Sequence, residues 1–235
     1  MLRLHWSPDS ANLVVRIALH RFGLAYESIR VNRAARQQHS PEHLALNPQG
    51  LLPVLEDGEL VLFETGAILL HLADRTGRLG PNAESADAPK ARALFSRWLF
   101  YASNTLHAEL RVAFYAYRFV PQEAIAALRE GVRGRFAKHL DLLETEVALQ
   151  GALAGPRATL VDDYLGACVR WAQNYPTDDR PILDDLQPWP ALSEHLGRLE
   201  TAPELLAACR EEFIADDRPF TKPSRPALPT SEITG

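Results

Sequence analysis

The sequence predicts an α/β N-terminal domain followed by an all-α C-terminal domain. Strand and helix periods alternate over residues 1–78, in the order βαβ and then ββα. Glycine and proline interrupt the periodicity over residues 79–89, which predicts a linker. The period is helical from Lys90 onward, so residues 90–215 are predicted to form the second domain.

The N-terminal domain is predicted to begin with a βαβ unit. Its elements are a strand at Leu2–Trp6, a helix at Asn12–Phe22 and a strand at Tyr26–Val31. The two strands should be parallel because a right-handed crossover joins them. A weak helix is predicted near Pro41–Leu46.

The ββα half occupies residues 46–74, LNPQGLLPVLEDGELVLFETGAILLHLAD. After a turn at Asn47–Gly50, a strand is predicted at Val54–Glu56, and Asp57-Gly58 is a tight hairpin signal. The chain returns as a strand at Leu60–Phe63, and Glu64-Thr65-Gly66 then opens a helix.

Two features of this segment predict a ligand site. Leu52 precedes Pro53 and is extended, and if the bond is cis its amide and carbonyl turn outward to bind a peptide like an added strand. Thr65 and the free amides at the helix start suit a carboxylate, while Glu64 suits an ammonium. An amino acid headgroup carries both charges. Taken singly, Thr65 fits better as a helix cap and Glu64 as an exposed first-turn acid, and it is their combination with the proline turn that favours a ligand site.

The second domain is predicted from long apolar-periodic segments broken by proline and glycine. These segments are Ala91–Phe119, Gln122–Leu149, Leu160–Asn174 and Ala191–Phe213. Thr159 and Asp162 have capping-box spacing, which makes Asp162 a structural residue. The proline-rich tail, residues 216–235, cannot form a regular helix, and the sequence leaves open whether it is mobile or drapes over a neighbouring surface.

Composition narrows the classes of function. A net charge of −5 without a dense basic block argues against nucleic acid or an anionic membrane as partner. No apolar run is long enough to span a bilayer, and the start lacks a secretory signal, so cytoplasmic residence is expected. Cys168 and Cys209 form no CxxC motif and are expected to be buried. The eight histidines lack ligand-like spacing, so no metal is expected.

The NPxGxxP turn followed by an acidic-hydroxyl pair at a helix start resembles the glutathione transferase family. The resemblance implies a thioredoxin-like N-terminal domain, a helical C-terminal domain and a homodimer. It assigns the cysteinyl backbone of glutathione to Leu52, beside Pro53, and the γ-glutamyl group to Glu64 and Thr65, where the family usually has serine. The Thr159–Asp162 cap matches a family motif, which extends the resemblance to both domains.

The thiol-activating residue lies, by this resemblance, in the loop after the first strand. Ser10 occupies the position of the hydroxyl in serine-type members, where it favours the glutathione thiolate, and Asn12 could add a second donor. Bacterial beta- and theta-like members resemble this loop, but the cysteine of the cysteine-type ones falls at Ala11. Either Ser10 or Asn12 alone fits an N-cap of the first helix. Asp9 would oppose a thiolate if its charge pointed inward.

Further candidates come from the helical domain and from the loop before the second helix. His107, in TLHAEL, matches a bacterial motif whose histidine reaches the glutathione site, and Ser103, His107 and Phe114 share one helix face. By charge and approximate position, Arg33, Arg36 and His39 are candidates for the glycine carboxylate of glutathione. The predicted pocket for the second substrate is Phe114, Tyr115 and Tyr117.

The implied activity is conjugation of the glutathione thiolate to a small, mostly apolar electrophile, as in detoxification, with glutathione as co-substrate. Two alternatives stay open. One is a noncatalytic binding module on the same fold. The other is a glutathione-dependent dehalogenase, peroxidase or isomerase.

Overall fold

The structure is a computed structural model and describes residues 1–81, 83, 86 and 88–227. These residues form a four-stranded mixed sheet with helices, followed by a helical region, which confirms the predicted fold class. The predicted linker residues 82, 84, 85 and 87 and the predicted tail residues 228–235 lie outside the described residues. The domain boundaries stay predictions.

The strand order in the sheet is β2-β1-β3-β4. The strands are β1 (Leu2–Trp6), β2 (Tyr26–Arg30), β3 (Val54–Asp57) and β4 (Leu60–Phe63). As predicted, β1 and β2 are parallel, and the other neighbouring pairs are antiparallel. Asp57 pairs with Leu60, so the hairpin loop is Gly58-Glu59, one residue later than expected. Gly58 has a φ of 64°, which favours glycine.

Three helices accompany the sheet. They are α1 (Asn12–Phe22), α2 (Pro41–Leu46) and α3 (Thr65–Thr76). Helix α1 ends at Gly23, which is left-handed, and α2 begins after Ser40, whose hydroxyl accepts from the His43 amide at 3.3 Å. Helix α1 is buried on almost every side because it contacts α3 and also packs against the helical region.

The helical region contains six α-helices among the described residues. They are α4 (Pro89–Tyr101), α5 (His107–Phe114), α6 (Ile125–Gln150), α7 (Leu160–Asn174), α8 (Pro190–Leu199) and α9 (Pro203–Glu211). A π-helical turn, Ala102–Leu106, joins α4 to α5.

Two predicted helical segments are wrong in their extent. The segment Ala91–Phe119 leaves the helical path at Tyr115, whose φ is −112° and ψ 36°, and a 3-10 turn follows at Ala116–Arg118. The segment Ala191–Phe213 is two helices, because Pro203 lacks the N–H that a continuous helix needs and Ala202 before it is extended.

Helix α7 lies at the centre of the helical region and is buried along most of its length. Its start carries the predicted capping box: Asp162 accepts from the Thr159 amide at 2.7 Å, and the Thr159 hydroxyl accepts from the Val161 amide at 3.3 Å. Cys168 and Cys209 are buried, as predicted.

The described part of the tail, residues 216–227, lies on α7 and is not helical. Phe220 is fully buried against Gly166, where an added Cβ would lie 2.3 Å from the ring. Arg170 donates to the Ser224 carbonyl at 2.7 Å, and Arg225 donates to the Asn174 carbonyl at 3.1 Å. Of the two alternatives for the tail, the structure shows draping as far as residue 227.

Candidate active site

A cleft of about 810 Å³ lies between the sheet region and the helices. The loop after β1, residues 33–53, the start of α3, and the helices α4, α5 and α7 all contribute to its walls. Ser103 and Asn104 of the π turn line it, and such turns are frequent at functional sites. His107 and Phe114 line it too, as their shared helix face implies.

Leu52 lines this cleft. The Leu52-Pro53 bond is cis. Asn47 and His43 hold the neighbouring Leu51 carbonyl, at 3.0 and 3.1 Å, so this turn is tied to α2. Within the described part of the chain, the Leu52 amide and carbonyl have no hydrogen-bond partner. The backbone can therefore pair with an extended ligand.

The start of α3 faces the same cleft. Glu64 has a φ of 73° and a ψ of 114°, an uncommon conformation for a residue other than glycine, and strained residues of this kind cluster at ligand sites. It places the buried Thr65 at the first position of α3, where the amides of residues 65–67 precede the first intrahelical bond, from Ile68 to Glu64. Gln49 donates to the exposed Glu64 carboxylate at 3.4 Å. These groups suit an anion beside a cation.

Ser10 lines the cleft, whereas the Asn12 side chain does not. The Ser10 hydroxyl donates to the Ser7 carbonyl at 3.2 Å and to Asn12 Oδ1. Asn12 is fully buried: its Oδ1 also accepts from the Ser7 amide at 3.0 Å, and its Nδ2 donates to Glu212 at 2.6 Å. Neither residue caps α1, whose N-cap is Ala11. Asn12 thus stabilises the conformation of the loop from the buried side.

Glu212, after α9, anchors this loop from the helical region. It is fully buried and accepts from the Asp9 amide at 3.1 Å and from Arg16 Nε at 3.0 Å, in addition to Asn12. Burial raises the pKa of Glu212 to about 7, against the opposing effect of Arg16. The loop that carries Ser10 is therefore held by an interior carboxylate.

Asp9 lines the cleft, and its carboxylate is hydrogen-bonded to residues at the inner wall. It accepts from Arg170 Nε at 2.9 Å, from Trp171 Nε1 at 3.0 Å and from the Tyr175 hydroxyl at 3.1 Å. Its side chain is 1% exposed and that of Arg170 is 0% exposed. The negative charge of Asp9 is therefore paired with the Arg170 guanidinium, which reduces its repulsion of any thiolate in the cleft.

His107 lies at the cleft wall with Tyr164 and Trp171. Its Nδ1 lies 2.8 Å from the Tyr164 hydroxyl, and its ring centroid lies 5.0 Å from that of Trp171. Burial, assisted by Arg111, lowers the pKa of His107 to about 4, so the imidazole is neutral near pH 7. Burial first, then Cys168 and Glu64, raise the pKa of Tyr164 well above its usual range, so the phenol stays protonated.

Of the remaining predicted site residues, four line the cleft and two do not. His39, packed on Gly50, and Arg33 line the cleft, as do Phe114 and Tyr115. Arg36 is exposed and does not line it. Tyr117 is 63% exposed on the 3-10 turn and does not line it either, because the helix ends before it and turns its side chain outward.

Sequence reasoning missed several residues that line the cleft, namely Gln38, Arg111, Arg118, Tyr164, Trp171 and Tyr175. A signal existed for Arg111, which follows His107 by four positions and so extends the same helix face. For the residues of α7 there was none, since their exposure to the cleft depends on contacts between distant segments.

Fold and cleft define a class of proteins in which a thioredoxin-like sheet and a helical region enclose one binding site. Residues 3–74 match the family model "Glutathione S-transferase, N-terminal domain". Glutathione S-transferase 3 of Zea mays is 34% identical over 166 residues, 68% of this chain and 73% of that protein. The maleylacetoacetate isomerase of Rhizobium meliloti is 48% identical over 90 residues, 37% of this chain and 41% of that protein.

A solved structure supports the same relationship. The sphingomonad glutathione S-transferase complexed with glutathione superposes with a TM-score of 0.74 at 26% identity, covering 89% of this chain and 98% of that one. The chain belongs to the glutathione transferase family, and it is a transferase enzyme. The resemblance stated from the sequence is thereby confirmed at the level of the family.

None of the helices in the described ranges is long and apolar enough to cross a membrane. Among the residues whose positions are described, no three His, Cys, Asp or Glu side chains group as a metal ion would require.

Proposed function

We propose that the protein is a serine-type glutathione transferase, in which the cleft binds glutathione and its thiolate attacks a small electrophile held against α5 and α7. The observation that carries this proposal is the meeting of the unpaired Leu52 backbone with the Glu64-Thr65 helix start in one cleft. The relative from a sphingomonad is a glutathione complex, which supports the choice of ligand.

Glutathione is proposed to bind in three parts. Its cysteinyl backbone pairs with Leu52 as an added strand. Its γ-glutamyl carboxylate takes the Thr65 hydroxyl and the free amides of α3, and its ammonium takes Glu64. Its glycine carboxylate is assigned to the 33–39 segment, where Arg33 and His39 line the cleft and Arg36 is more remote.

Ser10 is proposed to stabilise the thiolate. In the structure the Ser10 hydroxyl donates to the Ser7 carbonyl and to Asn12 Oδ1. To donate to the glutathione sulfur, the hydroxyl has to rotate toward that atom. Asn12 is assigned a positioning role because its side chain is buried behind the loop, and neutral His107 is assigned to the cleft wall. With an aryl chloride, the new carbon–sulfur bond replaces the carbon–chlorine bond, chloride leaves with its electron pair, and the thiol proton passes to solvent.

Isomerisation is a second candidate reaction. The relative from Rhizobium meliloti is named as an isomerase. Over its matched 90 residues it is 48% identical to this chain, against 34% for the transferase from Zea mays over 166 residues. Thiolate addition to a carbon–carbon double bond, rotation and expulsion of the same thiolate use the same glutathione site and consume no glutathione. Residence in the cytoplasm, homodimer assembly and a role in detoxification are further proposals that rest on family membership.

Calorimetric titration with reduced glutathione, in two buffers of different ionisation enthalpy, tests binding and proton release together. We expect binding with proton release at neutral pH. Removing a hydrogen bond to a charged group costs about 1.5–3 kcal/mol, so Thr65→Val should weaken glutathione binding by roughly tenfold or more, and Thr65→Ser should restore it. If Thr65→Val binds within twofold of the parent, the assignment of the headgroup is wrong.

The role of Ser10 needs a separate variant. Ser10→Ala should leave glutathione bound but abolish the proton release and lower turnover of an aryl chloride by roughly tenfold or more. Ser193→Ala, on α8 and outside the cleft, is the control for loss of a hydroxyl. Unchanged proton release and turnover in Ser10→Ala would show that another group activates the thiol.

A further inference from the structure

The cleft has a cationic end that the proposed glutathione contacts do not account for. Arg111 and Arg118 line it, and among the described residues neither forms an ion pair with a carboxylate. Other arginines of the helical region do so: Arg129 pairs with Asp178 at 2.8 Å and Arg135 with Glu109 at 2.7 Å. In a chain with a net charge of −5, two such guanidinium groups in a cleft call for an anionic partner.

Arg111 lies in the last turn of α5 and Arg118 in the 3-10 turn that follows, and both line the cleft. The Tyr115 amide donates to the Arg111 carbonyl at 3.0 Å, and the Arg118 amide donates to the Tyr115 carbonyl at 2.9 Å. The Arg118 guanidinium lies 4.9 Å from the Tyr115 ring centroid. Arg33, across the cleft, donates to the Tyr115 hydroxyl at 3.5 Å. Tyr115 therefore contacts Arg118 on one wall of the cleft and Arg33 on the other.

The carboxylates that face this end are already engaged. Asp9 is buried on Arg170, and Asp178 pairs with Arg129. Glu64 stands at the start of α3, where it is assigned to the glutathione ammonium, and has Gln49 as neighbour. Among the described residues, neither Arg111 nor Arg118 is thus paired with any of these carboxylates.

An aromatic surface adjoins these arginines. Phe114 and Tyr175 both line the cleft, with ring centroids 5.7 Å apart in an edge-to-face arrangement. A flat conjugated group can pack against them while an anionic end reaches the guanidinium groups. Guanidinium is matched to carboxylate because its planar fork can donate two parallel hydrogen bonds.

We infer that the electrophile carries a carboxylate on a flat, conjugated body, and that Arg111 and Arg118 bind this carboxylate while Phe114 and Tyr175 contact the body. The inference rests on the proposed function and names the substrate class of the same site. It replaces the mostly apolar electrophile that the sequence predicts with an anionic one.

The test compares a chloronitrobenzoate with the corresponding chloronitrobenzamide, which has the same shape without the charge. We expect the double variant R111Q/R118Q to lower the ratio of kcat/KM for the acid to kcat/KM for the amide by roughly tenfold. In the parent protein, the ratio of kcat/KM for the acid to kcat/KM for the amide should also fall as salt is added, because exposed charges are screened. Arg198→Gln removes one positive charge from an exposed arginine on α8 outside the cleft, and it should leave the ratio unchanged.

Binding of the two glutathione conjugates separates this inference from the proposed function. The carboxylated conjugate should bind the parent roughly tenfold more tightly than the amide conjugate, and R111Q/R118Q should remove that difference. Lack of turnover with normal conjugate binding would overturn the proposed reaction but support the anionic site. Equal binding of the two conjugates, binding of neither, or an R111Q/R118Q variant that keeps the difference would overturn the anionic site.

A third outcome concerns glutathione itself. If R111Q/R118Q weakens binding of reduced glutathione as much as it weakens binding of the carboxylated conjugate, these arginines hold the glycine carboxylate of glutathione and the inference is wrong. Arg33→Gln provides the comparison, since Arg33 is the cleft arginine assigned to that glycine carboxylate.

Discussion

Replacing Asp9 with alanine removes the acceptor of four hydrogen bonds in the protein interior. Two come from Arg170, one from Trp171 and one from Tyr175, and both charged side chains are almost completely excluded from solvent. Removing one member of a buried ion pair costs about 3–5 kcal/mol. Arg170 keeps Asp216 as a second partner, at 3.0 Å, so we expect a loss near the lower end, about 3 kcal/mol.

Urea unfolding followed by tryptophan fluorescence measures this loss, and thermal unfolding should show a Tm lower by roughly 6–12 °C. Asp9→Asn should lose less, because asparagine keeps the shape and tolerates the positive φ of 47°. Glu194→Ala, which breaks the exposed pair with Arg198, should cost no more than about 0.5 kcal/mol. A loss in Asp9→Ala no larger than in Glu194→Ala would refute the reasoning.

Three further outcomes are expected. His107 is neutral in the folded protein, so the unfolded chain binds one more proton than the folded chain as the pH falls below 6.5. Between pH 7 and pH 5 this difference should lower the free energy of unfolding by about 2 kcal/mol. His107→Asn should abolish this part of the pH dependence. Gly166→Ala should cost about 1–3 kcal/mol in urea unfolding because its Cβ meets Phe220, whereas Gly197→Ala, with open space on α8, should be neutral or stabilising. Thr159→Ala should lower the free energy of thermal unfolding by about 1 kcal/mol through loss of the α7 cap.

Each of these has a result that would contradict it. Parallel pH profiles for the parent and His107→Asn would show that the histidine is not the titrating group. A Gly166→Ala variant as stable as Gly197→Ala would mean that Phe220 does not occupy the position described. No loss in Thr159→Ala would show that the amides of the first turn of α7 find other acceptors.

Local signals account for most of the elements. Hydrophobic period, turn residues and capping spacing act within a few positions, so the sheet strands, α1 and the start of α7 were predictable. Pro203 is a local signal as well: it lacks the N–H that a continuous helix needs, so the single helix that periodicity predicts across it is wrong.

The candidate site was predictable where it lies on contiguous sequence, as at Leu52, Glu64 and Thr65. The surroundings of Ser10 were not. In its loop, the Asp9 amide donates to Glu212, which is 203 positions away in the sequence. The Asp9 carboxylate accepts from Arg170, which is 161 positions away. Which buried charge pairs with which depends on the packing of α1, α7 and α9, and no local pattern encodes that.

The anchoring of the Asp9 loop by Glu212 also has a consequence for the order of events during synthesis. A ribosome releases the β1 strand and α1 long before the residues that follow α9. Until Glu212 emerges, the Asp9 amide, Asn12 Nδ2 and Arg16 Nε lack the acceptor that they share in the folded protein. The N-terminal segment can pair its strands during translation, but the loop bearing Ser10 acquires its final geometry only after translation has passed residue 212.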